Sequence, residues 1–301
     1  MSPCTSSNKL EKPKWLRRSL PKGPGYENIR NLLKKHNLTT VCREAECPNQ
    51  FECYGKGTAT FMILGDRCTR NCRFCAVEHQ PQSLPDPAEA ERVAEAVAIL
   101  GLRYAVVTSV TRDDLTDGGA SFFADTIQAI RKSSPKTLVE VLIPDLQGNW
   151  QALGTILDAG PDVLNHNIET VASLYPEVRP RAEYVRSLEL LRRAKEMSAN
   201  VPSKSGIMLG FGETHTEIET TWRDLLAVGC NILTMGQYLQ PSENHLQIKR
   251  FVSPEEFSDL EDKALSFGFA GVASGPFVRS SYQAEKLYRN ALKRMHGSDS
   301  L

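Results

Sequence analysis

Beyond about residue 60 the chain alternates short β-branched apolar runs with longer stretches in which apolar residues recur every three or four positions, and Gly, Pro, Asn and Asp punctuate the joints. The short runs predict strands at Thr60–Leu64, Tyr104–Ser109, Leu138–Ile143, Val163–Asn167, Gly206–Leu209, Ile232–Met235 and Gly271–Ala273. The amphipathic stretches predict helices at Ala88–Leu100, Ala120–Ser133, Trp150–Ala159, Ala182–Met197, Glu217–Val228 and Pro254–Phe267. Asp86-Pro87 and Ser253-Pro254 open helices, while Gly101, Gly160, Gly229 and Gly268 follow helix ends. One strand and one helix every roughly thirty residues is the length of a strand-plus-crossover unit. A run of such units builds an α/β fold whose parallel sheet curls into a full or partial barrel, with chemistry on the loops after the strands.

Three segments follow from this pattern: an N-terminal extension over 1–59, a β/α unit series over 60–275 and a C-terminal segment over 276–301. The extension is basic and Pro/Gly-rich (KPKWLRRSLPKGPG), with a helical pattern from Tyr26 to His36, and is expected to wrap onto the barrel. The tail beyond Tyr288, ending HGSDSL, is expected to fray.

Composition narrows the function. In 301 residues, 41% hydrophobic and 24% charged, Lys plus Arg and Asp plus Glu both total 36, so there is no global basic field of the kind a general nucleic-acid binder carries. No apolar run approaches a membrane span, and the opening MSPCTSSNKLEKPKWLRR lacks the apolar centre of a signal peptide; the expected location is cytoplasmic. Six of the eight cysteines lie between Cys42 and Cys75, and a reducing compartment disfavours disulfides, so the cluster reads as metal binding. Cys230 opens an apolar strand and reads as core, and Cys4 lies in a polar terminus.

Cys68, Cys72 and Cys75 form a C-x-x-x-C-x-x-C loop directly after the strand TFMIL. Three thiolates on one tight loop can hold three irons of a cubane and leave the fourth open to substrate. A closed zinc site completed by His79 is the competing reading. Phe74, just before the last cysteine, offers a flat ring to a nucleobase. A second trio, Cys42, Cys47 and Cys53, has C-x₄-C-x₅-C spacing and asks for a second metal centre with a fourth ligand from elsewhere. A separate zinc site, or reduced buried thiols, fits the same spacing.

The first trio after the first strand of a β/α series resembles the radical S-adenosylmethionine superfamily. That resemblance implies a partial barrel and a 4Fe–4S cluster held by Cys68, Cys72 and Cys75. Its open iron would chelate S-adenosylmethionine and cleave it to methionine and a 5′-deoxyadenosyl radical. The second trio, together with Arg279-Ser280-Ser281-Tyr282, is similar to the lipoyl synthase family, in which an auxiliary 4Fe–4S cluster is held by these cysteines and by a serine, here Ser281. Taken alone, the same serines read as a helix cap. Serine is a hard, poor ligand for iron, one the cluster can release. The family resemblance, which runs from KPKWLRRSLPKG to SGPFVRSSY, implies insertion of two sulfur atoms at C6 and C8 of a protein-bound octanoyl-lysine, with the auxiliary cluster as the sulfur source. It implies as partners octanoylated lipoyl carrier domains (2-oxoacid dehydrogenase E2 subunits and the glycine cleavage H protein) and an electron donor such as flavodoxin or ferredoxin. The alternatives are another radical sulfur-inserting enzyme, such as a methylthiotransferase or biotin synthase, which shares the first trio but lacks the R-S-S-Y ligand, and a zinc-stabilised binding module that would do no catalysis.

Further residues are candidates by position. Asn165, Asn167 and Glu169 at one strand end could bind ribose hydroxyls or the methionine moiety, and Arg179 in YPEVRP could pair with its carboxylate. Arg112, Asp113, Asp114 and Asp117 follow the second strand, at the face where β/α sites form. Other superfamily members carry a Gly-Gly-Glu-like stretch there, whereas this chain has Asp117-Gly118-Gly119-Ala120. Gly210-Phe211-Gly212-Glu213 reads as a close-approach loop beside the cofactor, and His245 as structural or supporting. No side chain is assigned as a catalytic acid or base. Lys12, Lys14, Arg17, Arg18 and Lys22 around Trp15 suit docking of an acidic carrier.

Overall fold

The structure, a computed structural model, describes residues 10–17, 25–79 and 84–297. Seven strands run parallel in chain order: β2 (Thr60–Ile63), β3 (Tyr104–Ser109), β4 (Leu138–Leu142), β5 (Val163–Asn165), β6 (Ser203–Leu209), β7 (Ile232–Gln237) and β8 (Gly271–Gly275). A two-residue strand β1 (Thr39–Thr40) pairs antiparallel with β2 on its outer side. The curled sheet stays open, since its order runs from β1 to β8 without a closing pair. Parallel strands covered on both faces read as unbroken apolar runs, and Phe61, Val107, Val141 and Leu164 are all buried accordingly.

Helices α4 (Glu89–Leu100), α5 (Ala120–Ser133), α6 (Trp150–Asp158), α8 (Tyr184–Met197), α9 (His215–Ala227) and α10 (Pro254–Phe267) cover the sheet, with a single turn α7 (Tyr175–Val178) before α8. Their ends follow local chemistry. The Thr214 side chain and Glu217 cap α9 reciprocally, Ser253 accepts from the Glu256 amide ahead of α10, and Gly101 and Gly268 end α4 and α10 in left-handed geometry.

The extension contributes more than a wrapping. Helix α1 (Gly25–Lys35) buries Ile29 and Leu33 in the main core, and two short helices, α2 (Val41–Glu44) and α3 (Gln50–Gly55), carry Cys42 and Cys53. The expected frayed tail is corrected: α11 (Ala284–His296) continues well past Tyr288. Leu287 and Ala291, one turn apart, bury a shared stripe with Ile232. Gly271 lies so close under Ala291 that a Cβ there would sit 2.9 Å from it. Cys4, Arg18 and Lys22 lie outside the described residues. Among the described residues no helix is long and apolar enough to cross a membrane.

Candidate cluster and cofactor site

The first cysteine loop leaves β2 through Leu64 (φ 70°) and Gly65 (φ 95°), a sharp turn fixed where buried Glu89 accepts from the Leu64 amide at 2.7 Å. Neighbouring loops then pin its backbone. Thr69 N donates to Thr111 O (3.0 Å), Arg73 N to Val178 O (3.0 Å), and Leu246 N to Arg73 O (3.0 Å). His245 Nε2 lies 3.0 Å from Cys75 O, the supporting role expected for it. Beneath the loop, buried Arg70 forks onto two carboxylates, Asp113 at 2.7 and 2.8 Å and Asp145 at 2.9 and 2.6 Å. Burial alone pushes the Asp145 carboxyl up, but Arg70's hydrogen bonds and charge outweigh it and hold it at about 2.

The second trio meets the C-terminal segment against the start of β2. Thr60, at the start of β2, hydrogen-bonds the Cys42 thiol and donates to Ser281 Oγ at 2.8 Å. Asn49 Nδ2 donates to Phe277 O at 2.6 Å and Tyr282 Oη to Glu52 Oε1 at 3.1 Å, so 277–282 is laced to the loop after Cys47 and to α3, which bears Cys53. Glycine makes the approach possible. A Cβ on Gly236 would sit 2.2 Å from Val278 O, and one on Gly206 2.7 Å from Thr234 Oγ1 and 3.1 Å from Ser280 Oγ.

Both trios and Ser281 line a single cavity of about 510 Å³ that runs from Thr60 at the start of β2, past Gly206 and Thr234 inside the barrel, to the loops after the strands. The cysteines among the described residues are unpaired. Burial pushes the Cys42 and Cys75 thiols up to about 12 and the Cys53 thiol to about 11, and neighbouring thiols add to the rise. Burial raises Cys72 as well, against the pull of Arg179. Thiols gathered on one cavity, four of them raised by burial, are a donor set that suits polycationic iron, whose binding would displace their protons. Among the described residues no three His, Cys, Asp or Glu side chains converge on a single ion.

Arg179, which hydrogen-bonds the Cys72 thiol, lines the same cavity with Asn167 and Glu169. Glu169 occupies left-handed backbone space (φ 69°) and is locked there by bonds of its amide to Gly206 O and its carbonyl to the Met208 amide, both 2.9 Å. Burial raises its carboxyl, with Arg179 opposing. Asn167 Nδ2 donates to Glu169 Oε1 at 3.1 Å, and Asn167 Oδ1 accepts from Ser280 Oγ at 2.8 Å. Arg179, only 8% exposed, donates to Tyr175 Oη (2.8 Å) and Asn167 O (3.2 Å), and its buried Nε lacks a hydrogen-bond partner. A buried guanidinium on a cavity wall with one N–H to spare suits an anionic group such as a carboxylate. Phe74 lines the same cavity, over an apolar group of Val178, Phe211, Tyr238 and Leu246.

Several candidates stand elsewhere. Asn165 does not line the cavity; at the last position of β5 its side chain donates to Glu140 Oε1 at 2.9 Å inside the barrel. Arg112 forks onto Asp114 (both 2.8 Å) and Asp113 serves Arg70, while Asp117 caps α5 through the Gly119 and Ser121 amides (both 2.9 Å); the four support loops rather than line the site. In the 210–213 loop, Glu213 folds back onto the Gly210 and Phe211 amides at 2.7 and 2.9 Å, and the loop supports Phe74 from below instead of approaching the cavity. Cys230 is buried core, as expected. The sequence reading overlooked Thr60, Arg70 and the Arg70 partner Asp145, whose partnerships join positions far apart in the chain.

An open parallel β/α barrel with three cysteines on the loop after its first parallel strand, lining a shared cavity, defines a radical S-adenosylmethionine enzyme, and the model of that superfamily matches residues 62–225. Among solved structures, methylornithine synthase shares the fold at TM-score 0.57 and 14% identity, covering 89% of this chain and 80% of its own. An FeFe-hydrogenase maturase does so at TM-score 0.58 and 16% identity, covering 76% of this chain and 54% of its own. The model for the N-terminal domain of lipoyl synthase matches residues 3–47. Lipoyl synthase of Desulfotalea psychrophila is 68% identical over 94% of this chain and 95% of its own length, and that of Symbiobacterium thermophilum is 55% identical over 95% and 90%. The chain belongs to the lipoyl synthase family.

Proposed function

We propose that the cavity inserts two sulfur atoms, at C6 and C8, into an octanoyl chain amide-linked to a lysine of a lipoyl carrier domain. The observation that carries this reading is the meeting of both cysteine trios and Ser281 on one cavity wall system. Cys68, Cys72 and Cys75 are the ligands of the cluster that faces S-adenosylmethionine, and Cys42, Cys47, Cys53 and Ser281 those of the auxiliary cluster. When bound, the clusters and S-adenosylmethionine supply a primary alkyl radical and sulfide, which an unactivated C–H bond requires because it offers no acid–base handle.

The chain's own residues position and shield. Arg179, Asn167 and Glu169 hold the methionine end of the cofactor, and Phe74 stacks on its base. Met62, Val110 and Ile143 give the octanoyl chain an apolar wall. The roles divide as 1–59 for the auxiliary trio, 60–275 for the radical barrel and 276–301 for the serine ligand. Lys12 lines the cavity beside exposed Lys14 and Arg17, which supports docking of acidic carriers such as those of 2-oxoacid dehydrogenase E2 subunits and the glycine cleavage H protein. Unpaired cysteines suit a reducing, cytoplasmic setting, where flavodoxin or ferredoxin would deliver the electron. The test is a single turnover on an octanoyl-lysine peptide with the auxiliary cluster labelled with ³⁴S. Labelled lipoyl product is expected, and unlabelled product would reject the upstream trio as sulfur source.

A further inference from the structure

Inside the barrel, below the cavity, lies an ion pair that the chemistry above does not use. Glu140 on β4 is 0% exposed and Lys204 on β6 is 1% exposed. Lys204 Nζ donates to Glu140 Oε1 at 2.8 Å and Oε2 at 3.1 Å. Two more donors fix the carboxylate: Asn165 Nδ2 at 2.9 Å and Tyr104 Oη at 2.6 Å. Taking two charges out of water costs several kcal/mol each, and well-packed apolar residues would hold a barrel together as well or better. Stability of the barrel alone therefore gives little reason for the pair.

One bond leaves this network. Lys204 Nζ donates to the backbone carbonyl of Ser280 at 2.5 Å, which with the two carboxylate bonds accounts for all three ammonium hydrogens. The next residue is Ser281. Its hydroxyl meets Thr60 and that of Ser280 meets Asn167, so the 280–281 turn is held from two sides by hydroxyl bonds and from below by the ammonium. The bond from Lys204 is charge-assisted and shielded from water, hence the strongest of the three. Glu140, bonded to three partners, keeps the lysine aimed upward.

We propose that Lys204, oriented by Glu140, is a positioning residue that fixes the 278–282 segment through the Ser280 carbonyl and so places the Ser281 hydroxyl over the Cys42, Cys47 and Cys53 trio. The consequence for the auxiliary cluster rests on the reading of Ser281 as its ligand; the fixing of the segment does not. Two readouts separate them. Glu140→Gln with Lys204→Met removes both charges while Gln accepts from Asn165 and donates to the Tyr104 hydroxyl oxygen, so no buried charge is left unpaired. In the apo protein, hydrogen exchange at the Val278 and Tyr282 amides, bonded to Gly275 O and Arg279 O at 3.0 and 2.9 Å, should quicken at least tenfold, with Val141 and Leu164 unchanged. In the reconstituted protein a chelator should bleach the auxiliary cluster at least tenfold faster, with the first cluster and reductive S-adenosylmethionine cleavage unaltered.

Wild-type exchange at Val278 and Tyr282 overturns the proposal. Quickened exchange with unaltered lability of the auxiliary cluster upholds the positioning and rejects Ser281 as a ligand. Should the double variant not fold, Glu140→Gln with Lys204→Gln reads the same amides, because the two neutral amides can bond each other while the shorter side chain does not reach the Ser280 carbonyl; wild-type exchange there overturns the proposal equally.

Discussion

Replacing Gly236 with Ala places one methyl group at the point where the C-terminal segment crosses the sheet. The new Cβ would stand 2.2 Å from Val278 O and 3.2 Å from Val278 C, both backbone atoms that cannot rotate away, and 3.0 Å from Arg279 Nη1, which can. Relief requires a shift of about 1 Å between β7 and residue 278, since ordinary C···O contacts lie beyond about 3 Å. Gly236 is paired with Gly275 inside the sheet, whereas the 278–281 segment is held by single hydrogen bonds, so the segment gives way. Overpacking of this kind costs about 1–3 kcal/mol, which for a chain of this size lowers Tm by about 2–10 °C. A 1 Å retreat also breaks the 2.8 Å bond between Thr60 and Ser281. The expected result of anaerobic reconstitution is an auxiliary cluster lost within hours, iron falling from about eight to about four per chain, and a first cluster of unaltered spectrum. Gly154→Ala is the control, since it lies within α6 with open space around its Cβ and should stabilise by about 0.5–1 kcal/mol. Retention of both clusters and of Tm in Gly236→Ala would refute the close approach as the reason for glycine.

Asp145→Asn should destabilise the protein by about 3 kcal/mol, because Arg70 keeps its buried charge and loses half of its carboxylate partners. As the native carboxyl sits near 2, below its unfolded value, its contribution is complete above about pH 4 and fades as pH falls toward 2; acid unfolding of the variant should lose that component. His166 is the opposite type of group: burial first, then the charge of Arg179, lowers it to about 4, so its neutral form is native and its stabilisation fades as pH falls from about 6.5 to 4. His166→Gln, keeping bonds to Ile143 O and Ser187, should flatten the stability curve across that interval in thermal melts. Neutralising Lys12, Lys14 and Arg17 should slow turnover on a whole carrier domain more than on a short octanoyl peptide, with the gap closing in high salt; equal slowing on both would reject docking there.

The barrel was legible because buried parallel strands and their helices differ so plainly in period: Tyr104–Ser109, Ala120–Ser133 and Pro254–Phe267 match the observed elements at both ends. Strand β6 was read from Gly206 although it begins at Ser203, since Ser203, Lys204 and Ser205 are polar residues buried by the network inside the barrel. The six cysteines that line the cavity were legible as two trios from their spacing. Asn165 was misplaced because a polar residue at a strand end carries no mark of which face it takes, and only the register, with Asn165 opposite Lys204, reveals it. Gly206 and Gly236 looked like ordinary strand residues; what they admit arrives from forty to seventy residues downstream. The partnership of Arg70 with Asp145 is likewise a product of the closed fold.

The central claim is that one cavity holds two metal centres with divided labour. It is tested most directly by Cys42→Ala, Cys47→Ala and Cys53→Ala combined in one chain, reconstituted anaerobically and given S-adenosylmethionine, reductant and octanoyl-lysine peptide. The account predicts about four iron per chain, continued reductive cleavage of S-adenosylmethionine and no carbon–sulfur bond; lipoyl product from that variant, or loss of cleavage in a folded protein that keeps its first cluster, would contradict it.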